Sequence, residues 1–151
     1  MGELNELDKK ILEELQKDGR KSYTKLAEMF NANVTTVSNR VQRLIDNGTL
    51  KIVGVVSPFK TGNSFVADIK IRTTLSKLQS VIDQLTFLKE VRFLAACTGK
   101  YDLIIEVYAS SNSELYEIIK DKISQIDGII EIESSILLKF YKQSYDFGVE
   151  I

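Results

Sequence analysis

The sequence predicts an α+β protein of two parts, a small helical domain followed by a domain of four strands and two helices. Three observations predict it. The first third has helical periodicity punctuated by cap residues. A stretch rich in turn residues, "SPFKTGN", follows at 57–63. Beyond it a strand–helix–strand order is written twice. The boundaries expected from this are a helical domain over 1–56, a linker over 57–63 and a mixed domain over 64–151.

In "NELDKKILEELQKDG", Leu7, Ile11, Leu12 and Leu15 recur at helical spacing, with Asn5 as N-cap and Gly19 as the stop. Ser22 can cap a second helix that puts Tyr23, Leu26, Ala27 and Phe30 on one face. Asn31 suits the left-handed residue of a tight turn. A third helix starts after Asn33, carries Val37, Val41, Leu44 and Ile45 at core spacing, and ends before Gly48. Its other face holds Thr35, Thr36, Ser38, Asn39, Arg40 and Arg43. These hydroxyl, amide and guanidinium groups are the kinds that reach base edges and phosphates, whereas a merely solvated helix more often carries Glu and Lys. "TLKIVGVVS" then alternates like a short strand, with Lys51 placed to touch a DNA backbone. The pattern is that of a winged helix-turn-helix. Asn33, Thr35, Thr36, Ser38, Asn39, Arg40, Arg43 and Lys51 are its candidate DNA contacts.

After the linker, Phe65, Ala67, Ile69 and Ile71 alternate with Val66, Asp68, Lys70 and Arg72, as in a strand with two different faces. Leu75, Leu78, Val81, Ile82 and Leu85 mark a helix, and "EVRFLAACT" a second strand. "DLIIEVYA", "SSNSELYEIIKDKISQID" and "GIIEIESSILLKF" repeat the order. A βαββαβ chain with both helices on one sheet face is the ferredoxin-like arrangement. Its other face, with Val66, Ile104 and Tyr108 among charges, suits a second copy and predicts a homodimer. The tail "FYKQSYDF" (140–147), with four aromatics, is expected to pack at an edge of the same or the neighbouring subunit.

Composition narrows the function. No histidine is present, which removes His-based catalysis and the commonest zinc sites, and no phosphate-binding glycine loop occurs. The expectation is no enzyme, no cofactor and no metal. The single Cys97 is expected to be a buried structural thiol. No apolar run is long enough for a membrane span and the start is polar, so the expected location is cytoplasmic. The net charge of −1 is uneven: residues 20–51 carry six basic and two acidic groups. The basic segment therefore coincides with the helix-turn-helix, and double-stranded DNA is the expected partner.

Four stretches resemble the Lrp/AsnC (leucine-responsive, feast-famine) transcriptional regulators: "LDKKILEELQKDGRKSYTKLAEMF", "VSNRVQRLIDNGTLK", "CTGKYDLIIEV" and "IDGIIEIESSILLK". Together they cover nearly the whole chain in the right order. The resemblance implies a dimer built through the βαββαβ domains, assembled further into tetramers or octamers. It also implies a small effector, most often an amino acid, bound where dimers meet. The positions that match the family's effector site are Thr98, Gly99, Lys100, Tyr101, Asp102 and Ser134. Lys100 stands where the family usually has Asp, and Ile132 and Ser134 stand where many relatives have Thr. Two functions are therefore expected in competition: a sequence-specific DNA-binding regulator, or a metabolite-binding oligomer that does not read DNA sequence.

Overall fold

A computed structural model describes residues 4–145 and 148. The chain forms two compact units, one Met1–Val55 together with Lys142–Ile151, the other Val56–Tyr141.

The first unit holds α1 (Glu6–Lys17), α2 (Tyr23–Phe30) and α3 (Val34–Asp46). Each helix starts on the polar side chain expected. The Asn5 side chain accepts from the Asp8 N–H at 2.9 Å and the Asp8 carboxylate accepts from the Asn5 N–H at 3.2 Å, a reciprocal capping box. Ser22 caps α2 through the Lys25 N–H, and Asn33 caps α3 through the Thr35 N–H. Asn31 ends α2 at φ 50°, ψ 46°, the left-handed conformation that lets the chain turn within three residues. Ile11, Leu12, Leu15, Leu26, Ala27, Val37, Val41 and Leu44 form the core. Tyr23 and Ile45 lie at the margins of their apolar stripes and are exposed.

The strand expected after Gly48 is absent. Residues 51–57 have no regular structure, and Ile52, Val53, Val55 and Val56 are exposed. A strand needs a neighbour for its backbone N–H and C=O groups, and this segment has none among the described residues.

The second unit contains β1 (Phe65–Thr73), α4 (Leu78–Phe87), β2 (Val91–Ala96), β3 (Leu103–Ala109), α5 (Asn112–Glu117) and β4 (Ile129–Ile136). The sheet order is β2-β3-β1-β4 with antiparallel neighbours, the topology expected of βαββαβ. Ala67, Ile69 and Ile71 of β1 pair with Val107, Ile105 and Leu103 of β3, and all face the helices. Leu75 falls in a 3₁₀ turn before α4 and is exposed, so the apolar stripe begins at Leu78. α5 passes into a π-helical stretch, Ile118–Ile123. Residues five apart lie roughly 140° apart on an α-helix. The wider i→i+5 turn lets Ile118 and Ile123 both be buried.

Of the tail aromatics expected to pack at an edge of the same or the neighbouring subunit, Phe140 meets Phe59 of its own chain edge to face at 5.5 Å. Tyr141 and Tyr145 are largely exposed, and Phe147 lies outside the described residues. Cys97, expected to be buried, is exposed because it falls where β2 leaves the sheet for the hairpin turn.

Gly128 joins the π turn to β4 at φ +105°, and a Cβ there would lie 2.6 Å from Lys77 Cβ. Gly99, at φ +116°, has open space around it. Gly128→Ala is therefore expected to cost about 1–3 kcal/mol for the backbone and more for the clash, so it should lower the melting temperature further than Gly99→Ala. Equal losses in thermal unfolding would refute the close-approach argument.

Candidate nucleic-acid interface and hairpin loop

The three buried residues of α3 leave the opposite side open. Thr35, Thr36, Asn39, Gln42, Arg43 and Asp46 are exposed there. Shallow concavities run along this side, one lined by Thr36, Asn39, Arg40 and Arg43, the next by Asn39, Gln42, Arg43, Asp46 and Asn47. Ser38 is half-buried, and helical spacing turns it toward the opposite flank from Thr36 and Arg40. Asn33 is exposed, but its side-chain oxygen is engaged in the cap. Lys51 is exposed beyond the helix. Gln42 also belongs to this surface and was not among the sequence candidates; its side chain donates to Asp46 at 2.8 Å.

Arg40 and Arg43 have a second engagement that spacing did not reveal. Both reach the same carboxylate on α1: Arg40 Nη1 donates to Asp8 Oδ1 at 3.1 Å and Arg43 Nη2 to Asp8 Oδ2 at 2.5 Å. Asp8 has no side-chain exposure, whereas the Arg43 side chain is 54% exposed. Burial works against ionising Asp8, but the Asn5 N–H and the two guanidiniums outweigh it and hold the carboxyl below its usual value.

The β2–β3 loop, residues 97–102, is closed by a Cys97 N–H to Asp102 C=O bond of 2.9 Å. Asp102 Oδ2 accepts from the Thr73 N–H at 2.7 Å and its hydroxyl at 3.2 Å, tying the loop to the end of β1. Tyr101 is buried, and its hydroxyl donates to Glu133 Oε2 at 2.8 Å while accepting from Lys100 Nζ at 3.0 Å. Lys100 also reaches Glu131 at 2.7 Å. Lys70 pairs with Glu133 and Arg72 with Glu131, so a charged network runs across the sheet face away from the helices. Bonds to Glu131 and Tyr101 push the Lys100 ammonium pKa up. Lys100 opposes a rise at Tyr101, but Glu133, burial and Glu131 together push that phenol up.

Ser134 does not join this group. It pairs with Ile69 and so points to the helix side, where it lines an apolar groove of ≈ 480 Å³ with Leu115, Tyr116, Ile119 and Ile136. Strand alternation puts Glu131 and Glu133 on the other face. Lys100 and Tyr101 thus share one network with Glu131 and Glu133, Asp102 is tied to Thr73, and Thr98 and Gly99 lie in the same loop. Within one chain Ser134 lies on the far side of the sheet from the Tyr101–Glu133 contact. Glu131 and Glu133 are the loop partners that sequence reasoning missed. Their cross-strand register against Arg72 and Lys70 was the signal available once the strands were aligned.

The fold and the exposed helix face define a DNA-binding transcriptional regulator of the helix-turn-helix type. A family model for the winged helix-turn-helix DNA-binding domain matches residues 4–51. One for the Lrp/AsnC ligand binding domain matches residues 66–147. A helix-turn-helix transcriptional regulator of Pyrococcus furiosus is 38% identical over 143 residues, spanning 94% of this chain and 97% of that one. The regulator LrpA of Pyrococcus horikoshii is 31% identical over 140 residues, 92% of this chain and 99% of that one. AsnC of E. coli has the same fold at a TM-score of 0.87 and 28% identity, over 94% of this chain and 97% of that one. A Neisseria meningitidis transcriptional regulator in complex with L-Met shares the fold at a TM-score of 0.87 and 22% identity, over 95% of each chain. The chain belongs to the Lrp/AsnC family. The Pyrococcus relatives just given are named as transcriptional regulators, and no helix among the described residues is long and apolar enough to cross a membrane.

The depressed Asp8 pKa sets a pH dependence. The folded value lies below the unfolded one of about 3.9, so the stability that ionised Asp8 contributes is fully present above that pH and is lost as pH falls below it. Denaturant titrations between about pH 5 and pH 2 should therefore show a shallower acid loss for Asp8→Asn than for the unaltered protein. Identical acid slopes would contradict the ion-pair geometry.

Proposed function

We propose that this regulator binds a palindromic DNA site as a homo-oligomer, with α3 in the major groove, and that an amino acid modulates it at the β2–β3 loop. The exposed hydroxyl, amide and guanidinium face of α3 carries this reading. In this reading Thr35, Thr36 and Asn39 meet base edges, with Ser38 at the margin, while Arg43, Arg40 and Lys51 serve phosphates and Asn33 presents the helix N-terminus. A chain of net charge −1 binds DNA weakly alone, so affinity comes from paired domains on one duplex.

Two surfaces support a dimer. One is the exposed apolar run Ile52–Val56, whose backbone lacks a strand neighbour among the described residues. The other is the sheet face away from the helices, where Ile104 and Tyr108 are half-buried among charged groups. Further pairing of dimers gives the tetramers or octamers of the resemblance. Such assemblies act in the cytoplasm, where a bacterial or archaeal chromosome is accessible.

The effector reading rests on the loop. Its backbone around Gly99 suits a carboxylate, and the L-Met complex of the Neisseria relative supports an amino acid as ligand. Asp102 Oδ2 is committed to Thr73, and Glu131 and Glu133 to Lys100, Arg72, Lys70 and Tyr101, so an effector's ammonium group takes a carboxylate of this loop by displacing one of these partners. A site that also uses Ser134 takes it from a different chain than the loop, which couples effector binding to assembly.

Selection of bound fragments from random DNA at about 0.15 M salt, with each of the twenty amino acids added singly, tests both parts. A palindromic motif is expected, and one amino acid should shift its recovery. Arg43→Ala should weaken binding on all sequences and flatten the salt dependence. Absence of any motif, together with tight amino-acid binding, would establish instead a metabolite-binding oligomer that does not read sequence.

A further inference from the structure

Asp8 is an unusual choice for its place. The core of three short helices needs apolar volume between α1 and α3, and Ile11, Leu12, Val37, Val41 and Leu44 supply it. A carboxylate with no side-chain exposure is costly to desolvate, and an apolar group there would be cheaper. The cost extends to its partner: Arg40 Nε is buried and finds no acceptor among the described residues. Asp8 already accepts from the Asn5 N–H in the α1 capping box, so one carboxylate is held from its own helix and holds two guanidiniums of another.

The two arginines are not equivalent. Arg40 is 28% exposed and sits largely inside the clasp. Arg43 gives one N–H to Asp8 and stays half-exposed at the edge shared by both concavities of the α3 surface, next to Asn39. A guanidinium has five donors in a fixed fork, so anchoring one edge orients the rest. An unanchored arginine on a helix surface samples many rotamers and meets a phosphate from several angles. Phosphate contacts fix the register in which the remaining side chains meet the bases.

We propose that Asp8 is a positioning residue for DNA recognition: by clasping Arg40 and Arg43 it sets the angle at which Arg43 meets the DNA backbone, and so the register of Thr35, Thr36 and Asn39 on the bases. This rests on the proposed docking of α3. It gives α1, which carries none of the candidate contacts, a part in sequence discrimination.

The test separates positioning from charge and from folding. Asp8→Asn keeps the shape and an oxygen for the cap but cannot balance two cations. Equilibrium binding of the full-length variant is measured on the duplex recovered by selection and on a scrambled duplex of equal length. Charge alone predicts tighter binding to both, because a negative group near DNA is removed. Positioning predicts that preference for the selected duplex falls about tenfold, the size of one mismatched base pair, while scrambled binding holds or tightens. In an Arg43→Ala background, Asp8→Asn should then change the preference no further.

An unchanged preference, or a loss of the same size without Arg43, would overturn the proposal. If circular dichroism shows that Asp8→Asn does not fold, Asp8→Glu is read in its place, since it keeps the charge and displaces the clasp by one methylene. A preserved preference in that variant overturns the proposal equally. Failure of the unaltered protein to select any motif would instead bring down the docking on which the proposal rests.

Discussion

Strand β1 is the constraint on which the effector-type domain depends. It is hydrogen-bonded on both sides, to β3 and to β4, so its two-residue alternation is imposed on the whole sheet. Ala67, Ile69 and Ile71 turn toward α4 and α5 and are fully buried. Asp68, Lys70 and Arg72 are turned to the other face by the same alternation. A one-residue slip would exchange these sets, and the register is held at both neighbours. That single choice also decides where Glu131 and Glu133 project, and hence what the β2–β3 loop can touch.

The loop at 97–102 shows how a turn becomes part of a network. Its chain reversal needs little beyond Gly99 at positive φ. Tyr101 and Asp102 do something different, tying the loop to β4 and to β1 through Glu133 and Thr73. Lys100 adds a contact to Glu131. The loop is therefore coupled to the edge strand as well as to its own hairpin. A ligand that moves Lys100 or Tyr101 would be felt along β4.

In the helical unit, the same residue types carry two duties. α3 is amphipathic with a narrow buried stripe, and the polar remainder divides into an outward side and a flank that meets α1. Arg40 lies on that flank and Arg43 at its border with the outward side, and both are drawn to Asp8. The basic character of the segment is thus partly compensated inside the fold. The density of Lys and Arg in residues 20–51 overstates the free positive charge offered to DNA.

The sequence alone determined what depends on near neighbours. Caps at Asn5, Ser22 and Asn33, the left-handed Asn31, the apolar stripes and the order of strands and helices all arise from interactions within a few residues. Each was legible from spacing and residue type. The strand expected after Gly48 is absent for the same reason: alternation marks a segment able to pair, and pairing needs a neighbour that spacing does not supply. Tertiary structure decided the contacts that join distant residues. Asp8 meets Arg40 and Arg43 across 32 and 35 positions, and Tyr101 meets Glu133 across 32. Ser134 was separated from the Tyr101 network by the parity of a strand. Such pairings depend on how elements pack and on which face each residue occupies, and local periodicity carries neither quantity from one element to another.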